Sequence, residues 1–194
     1  MYNNEILAAF FASFITVLIA ELGDKTQFIT LTLSSRNSPY RVFGAAIAAL
    51  SVITAMAVLL GSFISDLIPP GYIALISGFF FILMGLYTLL KKERPPHVKP
   101  SGYSIFTQTF SMVFVGEFGD KTQLAAIALT AFYQEPLMVF LGSMAAQVIN
   151  HGFAAFIGGK YLKRIPDIYL KVITTAVFFL FGIIILWGGK TYFL

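Results

Sequence analysis

The sequence predicts an all-α integral membrane protein: six transmembrane helices in two inverted three-helix repeats, with helices 1 and 4 kinked or broken. Three observations carry this. The 194-residue chain is 58% hydrophobic and only 11% charged, with a mean hydropathy of +0.83. Soluble domains are typically about 25% charged. The apolar residues fall into six segments, each long enough for the roughly 20 residues a spanning helix needs. An acidic phrase, "ELGDKTQF" at 21–28, returns as "EFGDKTQL" at 117–124.

The segments lie at about 6–33, 42–64, 72–90, 104–131, 137–159 and 168–188. Turn and charge signals separate them: "SSRNSPYR", "SDLIPPG", "KKERPPHVKPSG", "YQEP" and "KYLKRIPD". The first and fourth are too long for one straight crossing, roughly 40 Å at 1.5 Å per residue. Each holds the acidic phrase near its middle, so a break at its glycine is expected. "MYNNE" carries no lysine or arginine, and a cleaved signal peptide is not expected.

Basic residues set the expected orientation. Arg36, Arg41, Lys91, Lys92, Arg94, Lys99, Lys160, Lys163, Arg164 and Lys171 fall in or beside the first, third and fifth loops. The opposite side has only Lys190, and Lys25 and Lys121 belong to the phrases. The positive-inside rule puts the three basic loops in the cytoplasm and both termini outside it. The implied location is the inner (plasma) membrane, multi-pass. Most tyrosines and Trp187 fall near span ends, as an interfacial belt would.

The repeat extends beyond the phrase. Glu21 matches Glu117 at an offset of 96; after a one-residue slip, Val42-Phe43 matches Val139-Phe140, Gly61 matches Gly158 and Gly85 matches Gly182. Residues 1–90 form the first repeat, 91–103 a basic cytoplasmic linker and 104–194 the second repeat. Three spans is an odd number, so the second copy enters the membrane inverted. Inverted repeats with interrupted helices meeting near the midplane are a recurring transporter plan.

Glu5, Asp66, Glu93, Glu135 and Asp167 lie near span ends or in loops, whereas Glu21, Asp24, Glu117 and Asp120 lie at membrane depth. Burying an ionised acid costs at least about 2.5–3.5 kcal/mol. Four acids against Lys25 and Lys121 leave two excess negative charges, which interhelix pairing alone does not neutralise. Glu and Asp stand at i and i+3, on one helix face. Gln27 and Gln123 add amide oxygens, and Thr26 and Thr122 add hydroxyls. Such a set suits hard divalent ions such as Ca2+, Mg2+ and Mn2+. Cysteine is absent. One divalent cation or two protons bring the phrases to zero charge, so exchange of one for about two is expected.

The duplicated phrase resembles the Ca2+/cation antiporter family defined by a repeated E-x-G-D-[KR]-[TS] motif, and among its members the bacterial manganese exporters. Both "ELGDKT" and "EFGDKT" match, and the resemblance spans essentially the whole chain. It implies export of Mn2+ from the cytoplasm, or of Ca2+ in some members, in exchange for protons. It also implies that Glu21, Asp24, Glu117 and Asp120 form the cation site. A Ca2+/H+ antiporter and a divalent cation channel are the alternatives. No enzyme is expected: H-E-x-x-H, a nucleophile with its base, and the P-loop are all missing. No cofactor beyond the transported ion and no nucleic acid partner are expected; the partners are the bilayer and the metal, with a homo-oligomer left open.

The second spans of the two halves diverge. Leu50 corresponds to Gln147, Ile53 to Asn150 and Thr54 to His151. Gln147, Asn150 and His151 share a helix face and are read either as supporting or gating groups or as ordinary interhelix hydrogen bonders. His151 is a candidate proton stop. Ser51 and Thr54 are the corresponding candidates in the first half. His97 lies in the linker.

Overall fold

The computed structural model describes residues 2–90, 102–157 and 167–189. Among them the chain is all helical: α1 (Tyr2–Ala20), α2 (Lys25–Ser34), α3 (Pro39–Leu67), α4 (Pro70–Leu90), α5 (Ile105–Glu117), α6 (Lys121–Tyr133), α7 (Pro136–Phe156) and α8 (Asp167–Gly189). Lys91, Lys92, Arg94, His97, Lys99, Lys160, Lys163, Arg164 and Lys190 lie outside the described residues. Several starts are written locally. Pro39 and Pro136 open α3 and α7, where a missing N–H costs nothing. Ser104 caps α5 by accepting from the Thr107 N–H at 3.2 Å. Arg41, expected in the first loop, sits in the first turn of α3.

The first and fourth apolar segments are both broken at the acidic phrase, giving α1–α2 and α5–α6. Gly23 (φ 74°) and Gly119 (φ 76°) sit in the breaks with left-handed backbone, which glycine adopts without penalty. Four helices are long and apolar enough to cross a bilayer: α3, α4, α7 and Lys171–Gly189 of α8. The α1–α2 pair, bent by 69°, makes a fifth. Six were expected from sequence, and the difference lies in α5 and α6. Each has 13 residues, about 20 Å of helix against a core of about 30 Å.

Burial is reversed relative to a soluble protein. The outer surface carries Leu59, Phe63, Phe79, Leu83, Leu180 and Ile183, all exposed, while Glu21, Asp24, Glu117, Asp120, Lys121 and His151 are buried. Exposed Tyr40, Tyr72, Tyr87, Tyr169 and Trp187 stand near helix ends.

The two halves interlock. α7 packs on α1 and α2, α3 packs on α5 and α6, and α4 packs on α8. Contacts at the α4–α8 seam are reciprocal under the 97-residue offset. A Cβ on Gly78 would lie 3.0 Å from the Gly182 carbonyl oxygen. The mirror pair, Gly85 and Thr175, is joined by a hydrogen bond from Thr175 Oγ1 to the Gly85 carbonyl at 3.1 Å. Phe81 and its counterpart Phe178 meet edge to face at 5.8 Å, both fully buried. Such reciprocity is the mark of a two-fold contact.

Candidate functional site

Each break brings a carboxylate-bearing helix end to the centre of the molecule. Glu21 follows the last residue of α1, and Glu117 is the last residue of α5. Asp24 and Asp120 are the N-cap residues of α2 and α6, with extended backbone. An N-cap aspartate usually accepts a backbone N–H from the first turn. Neither does so here. Their carboxylates are released from capping and turn toward the opposite half.

Glu21, Asp24 and Glu117 each place one carboxylate oxygen within 4.8 Å of the others, and all three are buried. Two elements of the first half and one of the second thus supply one cluster. Asp120 is not part of that triangle. Its Oδ2 lies 3.2 Å from Lys121 Nζ, and Lys121 in turn is paired with Asp24 Oδ1. Across the pseudo-two-fold, Lys25 Nζ lies 4.0 Å from Asp120 Oδ1. Each lysine therefore reaches the aspartate of the other half. The two are not equal: the Lys121 side chain is 6% exposed and that of Lys25 35%.

The hydroxyls are shared unevenly too. Thr26 Oγ1 donates to Glu117 Oε1 at 2.6 Å and Thr122 Oγ1 to Glu117 Oε2 at 3.0 Å. Glu21 Oε1 and Oε2, and Asp24 Oδ2, are buried and have no protein donor. The glutamines expected as ligands are engaged by the breaks: Gln27 Oε1 accepts the Gly23 N–H at 2.7 Å and Gln123 Oε1 the Gly119 N–H at 2.6 Å. They replace helix hydrogen bonds that the breaks remove.

A profile of the divalent cation/proton antiporter family GDT1 matches residues 9–96 and again residues 105–192, once for each half. The chain belongs to the GDT1 family. It is thus a multi-pass membrane transporter of a divalent cation/proton antiporter family, and that family is not one of enzymes. Among its relatives, the GDT1-like protein sll0615 of Synechocystis is 28% identical, the alignment covering 94% of this chain and 98% of that protein. A Vibrio cholerae protein provisionally named a manganese exporter is 27% identical over 93% and 92% of the two chains. GDT1-like protein 5 of Arabidopsis thaliana is 29% identical over 93% and 96%. No solved structure matches the chain.

The polar residues of this GDT1 member's α7 lie against the first half. Asn150 Nδ2 donates at 2.9 Å to the Leu18 carbonyl. That oxygen is freed because the Leu22 N–H turns to Ile19 instead. Gln27 Nε2 donates to the Asn150 carbonyl at 3.1 Å. Gln147 Oε1 accepts from Thr54 Oγ1 at 3.3 Å. Ser51 bonds back to its own helix at Ile47. Sequence reasoning missed Thr30, whose Oγ1 lies 2.8 Å from His151 Nδ1. The three-residue step from Asp24 through Gln27 to Thr30 was the signal that would have found it.

Proposed function

We propose that this GDT1 member exports divalent cations, Mn2+ first among them, from the cytoplasm in exchange for protons. The observation that carries the reading is the buried Glu21–Asp24–Glu117 triangle, built from both halves. Its oxygen donors suit a hard divalent ion, and the provisional manganese-exporter name of the Vibrio cholerae relative supports reading Mn2+ here ahead of Ca2+. An arriving cation would take Glu21, Asp24 and Glu117 as ligands and displace Lys121 from Asp24 toward Asp120. Gln27, Gln123, Thr26 and Thr122 shape the breaks around it. With both lysines charged the phrases carry −2, which one divalent cation or two protons cancel. Neutral loaded forms change access more readily than the charged empty one, because desolvating net charge is costly.

The reading includes six spans in two inverted repeats (1–90 and 104–194), the linker 91–103 in the cytoplasm, both termini outside, and a plasma membrane location. The reciprocal contacts across the halves and the twice-matching family profile support it. Purified protein in liposomes, given Mn2+ or Ca2+ with and without an imposed pH gradient, tests the exchange. Mn2+ flux driven by the pH gradient is expected; flux that ignores it and follows sodium overturns the reading. A reporter fused after Leu194 is expected outside the cytoplasm, and a cytoplasmic signal contradicts the six-span topology.

A further inference from the structure

The two seams between the halves are not alike: α2 meets α7 through a row of buried polar groups that α6 against α3 lacks. From Asp24 at the head of α2, Gln27, Thr30 and Ser34 follow at steps of three and four residues, so they share a face. All four are buried. α7 meets this face with Asn150, whose carbonyl accepts from Gln27, and His151, whose Nδ1 lies 2.8 Å from Thr30 Oγ1. His151 Nε2, Ser34 Oγ and Asp24 Oδ2 are buried without a protein partner. Ser34 ends α2, and exposed Ser35 and Arg36 follow. Beyond His151, α7 presents only the small Ala154 and Ala155 on its buried side before ending at Phe156. The row runs from the carboxylates to the loop at 35–38.

The other half has no such row. Ala126 stands where Thr30 does, and Thr130, in the place of Ser34, bonds back to the Ala126 carbonyl at 2.8 Å. Ile53 and Thr54 replace Asn150 and His151. A packing requirement would act on both halves alike. Each buried polar group left unpaired costs about 1–3 kcal/mol, so a one-sided row of them is retained against stability. Polar groups beside small side chains are also where buried water settles.

We propose that Thr30, His151 and Ser34, on the face that Asp24 and Gln27 begin, carry protons between the carboxylate cluster and the loop at 35–38, apart from the path of the cation; Gln27, its amide held by Gly23 and Asn150, relays none, and water bridges past it. This rests on the proton-exchange reading above. A proton reaching His151 Nε2 is matched by one leaving Nδ1 for the Thr30 oxygen, whose own hydroxyl proton moves on toward Ser34 through water. One proton enters and one leaves, and the ring is left neutral in its other tautomer. A divalent ion has no carboxylate to follow beyond Asp24, so the row excludes it. α7 packs on α1, α2, α3 and α6. Their charged groups are Glu5 and Glu21, Asp24 and Lys25, Arg41 and Asp66, and Asp120 and Lys121. Glu5, Arg41 and Asp66 are exposed.

The test uses full-length protein in liposomes with Mn2+ as probe and two readouts. One is Mn2+ flux driven by a pH gradient; the other is exchange of labelled for unlabelled Mn2+ at equal pH. His151→Gln keeps a hydrogen-bonding group beside Thr30 without relaying a proton, and Thr30→Val removes the hydroxyl with little change of shape. Both are expected to lower pH-driven flux about 100-fold, the scale of losing a positioned proton-transfer group. Exchange of Mn2+ for Mn2+ is expected to persist at the wild-type rate. Undiminished pH-driven flux in both variants overturns the route. Equal loss of both readouts also overturns it, because His151 and Thr30 would then serve the cation. Wild-type protein that exchanges Mn2+ but shows no pH-driven flux refutes the proton-exchange reading itself.

Discussion

The two acidic phrases differ at two of their eight positions, yet the structure treats them unequally. At the first break α1 stops at Ala20, and the carbonyls of Leu18 and Ile19 take hydrogen bonds from Asn150 and Thr174. At the second, α5 continues to Glu117 and Phe118 bonds normally to Phe114. Glu21 has no donor, while Glu117 has two. Lys121 is buried between two aspartates, and Lys25 is partly exposed. Nearly identical local sequences thus meet different surroundings, and the surroundings come from α3 and α7. Leu50, Ile53 and Thr54 face one break's partners, whereas Gln147, Asn150 and His151 face the other's. The repeat supplies paired chemistry, and its divergence decides which copy is closed by the protein's own groups.

Amide substitutions probe that inequality most strongly. Glu21→Gln, Asp24→Asn and Glu117→Gln are expected to abolish Mn2+ flux in liposomes, with folded protein recovered normally, because each removes a carboxylate of the triangle. Asp120→Asn is expected to be nearly as damaging through loss of Lys121's second partner. Near-normal flux in any two of the four breaks the shared-site account.

Lysine removal comes next. Lys121→Ala strips a buried cation from Asp24 and Asp120 and is expected to cost about 3–5 kcal/mol in detergent unfolding. Lys25→Ala is expected to cost about 0–1 kcal/mol, as for an exposed pair. Equal losses would erase the distinction between the halves.

The breaks themselves give smaller effects. Gly119→Ala forces a side chain into left-handed backbone where no atom lies within 4 Å of the added Cβ. The loss is conformational only, about 1–2 kcal/mol. Asn150→Leu, which uncaps Leu18, is expected to cost about 1–3 kcal/mol by leaving a buried carbonyl unpaired. Ile53→Leu at the equivalent site should be within about 1.5 kcal/mol of wild type.

The helices and both breaks were legible because their signals are local. Apolar length, proline at helix starts and a glycine inside the acidic phrase need no knowledge of neighbours. From charge cost, Glu21, Asp24, Glu117 and Asp120 were expected in one site; the structure gathers the first three and leaves Asp120 beside Lys121. What sequence could not show depends on which helix of one half meets which of the other. Gln27 and Gln123 looked like ligands because their oxygens suit a metal; only the backbone geometry reveals that Gly23 and Gly119 claim them. Thr30 went unnoticed because its partner, His151, lies 121 residues away. The break between α5 and α6 is expected from the glycine; that each piece has only 13 residues, too few to cross alone, is not registered by composition.

In the proposed function both halves contribute to one cation site. Mn2+ binding to the purified protein, followed by electron paramagnetic resonance of the free ion, tests it most directly. A single Mn2+ per chain is expected, lost in Glu21→Gln and lost equally in Glu117→Gln. Two Mn2+ per chain, each abolished by only one of these substitutions, would contradict it.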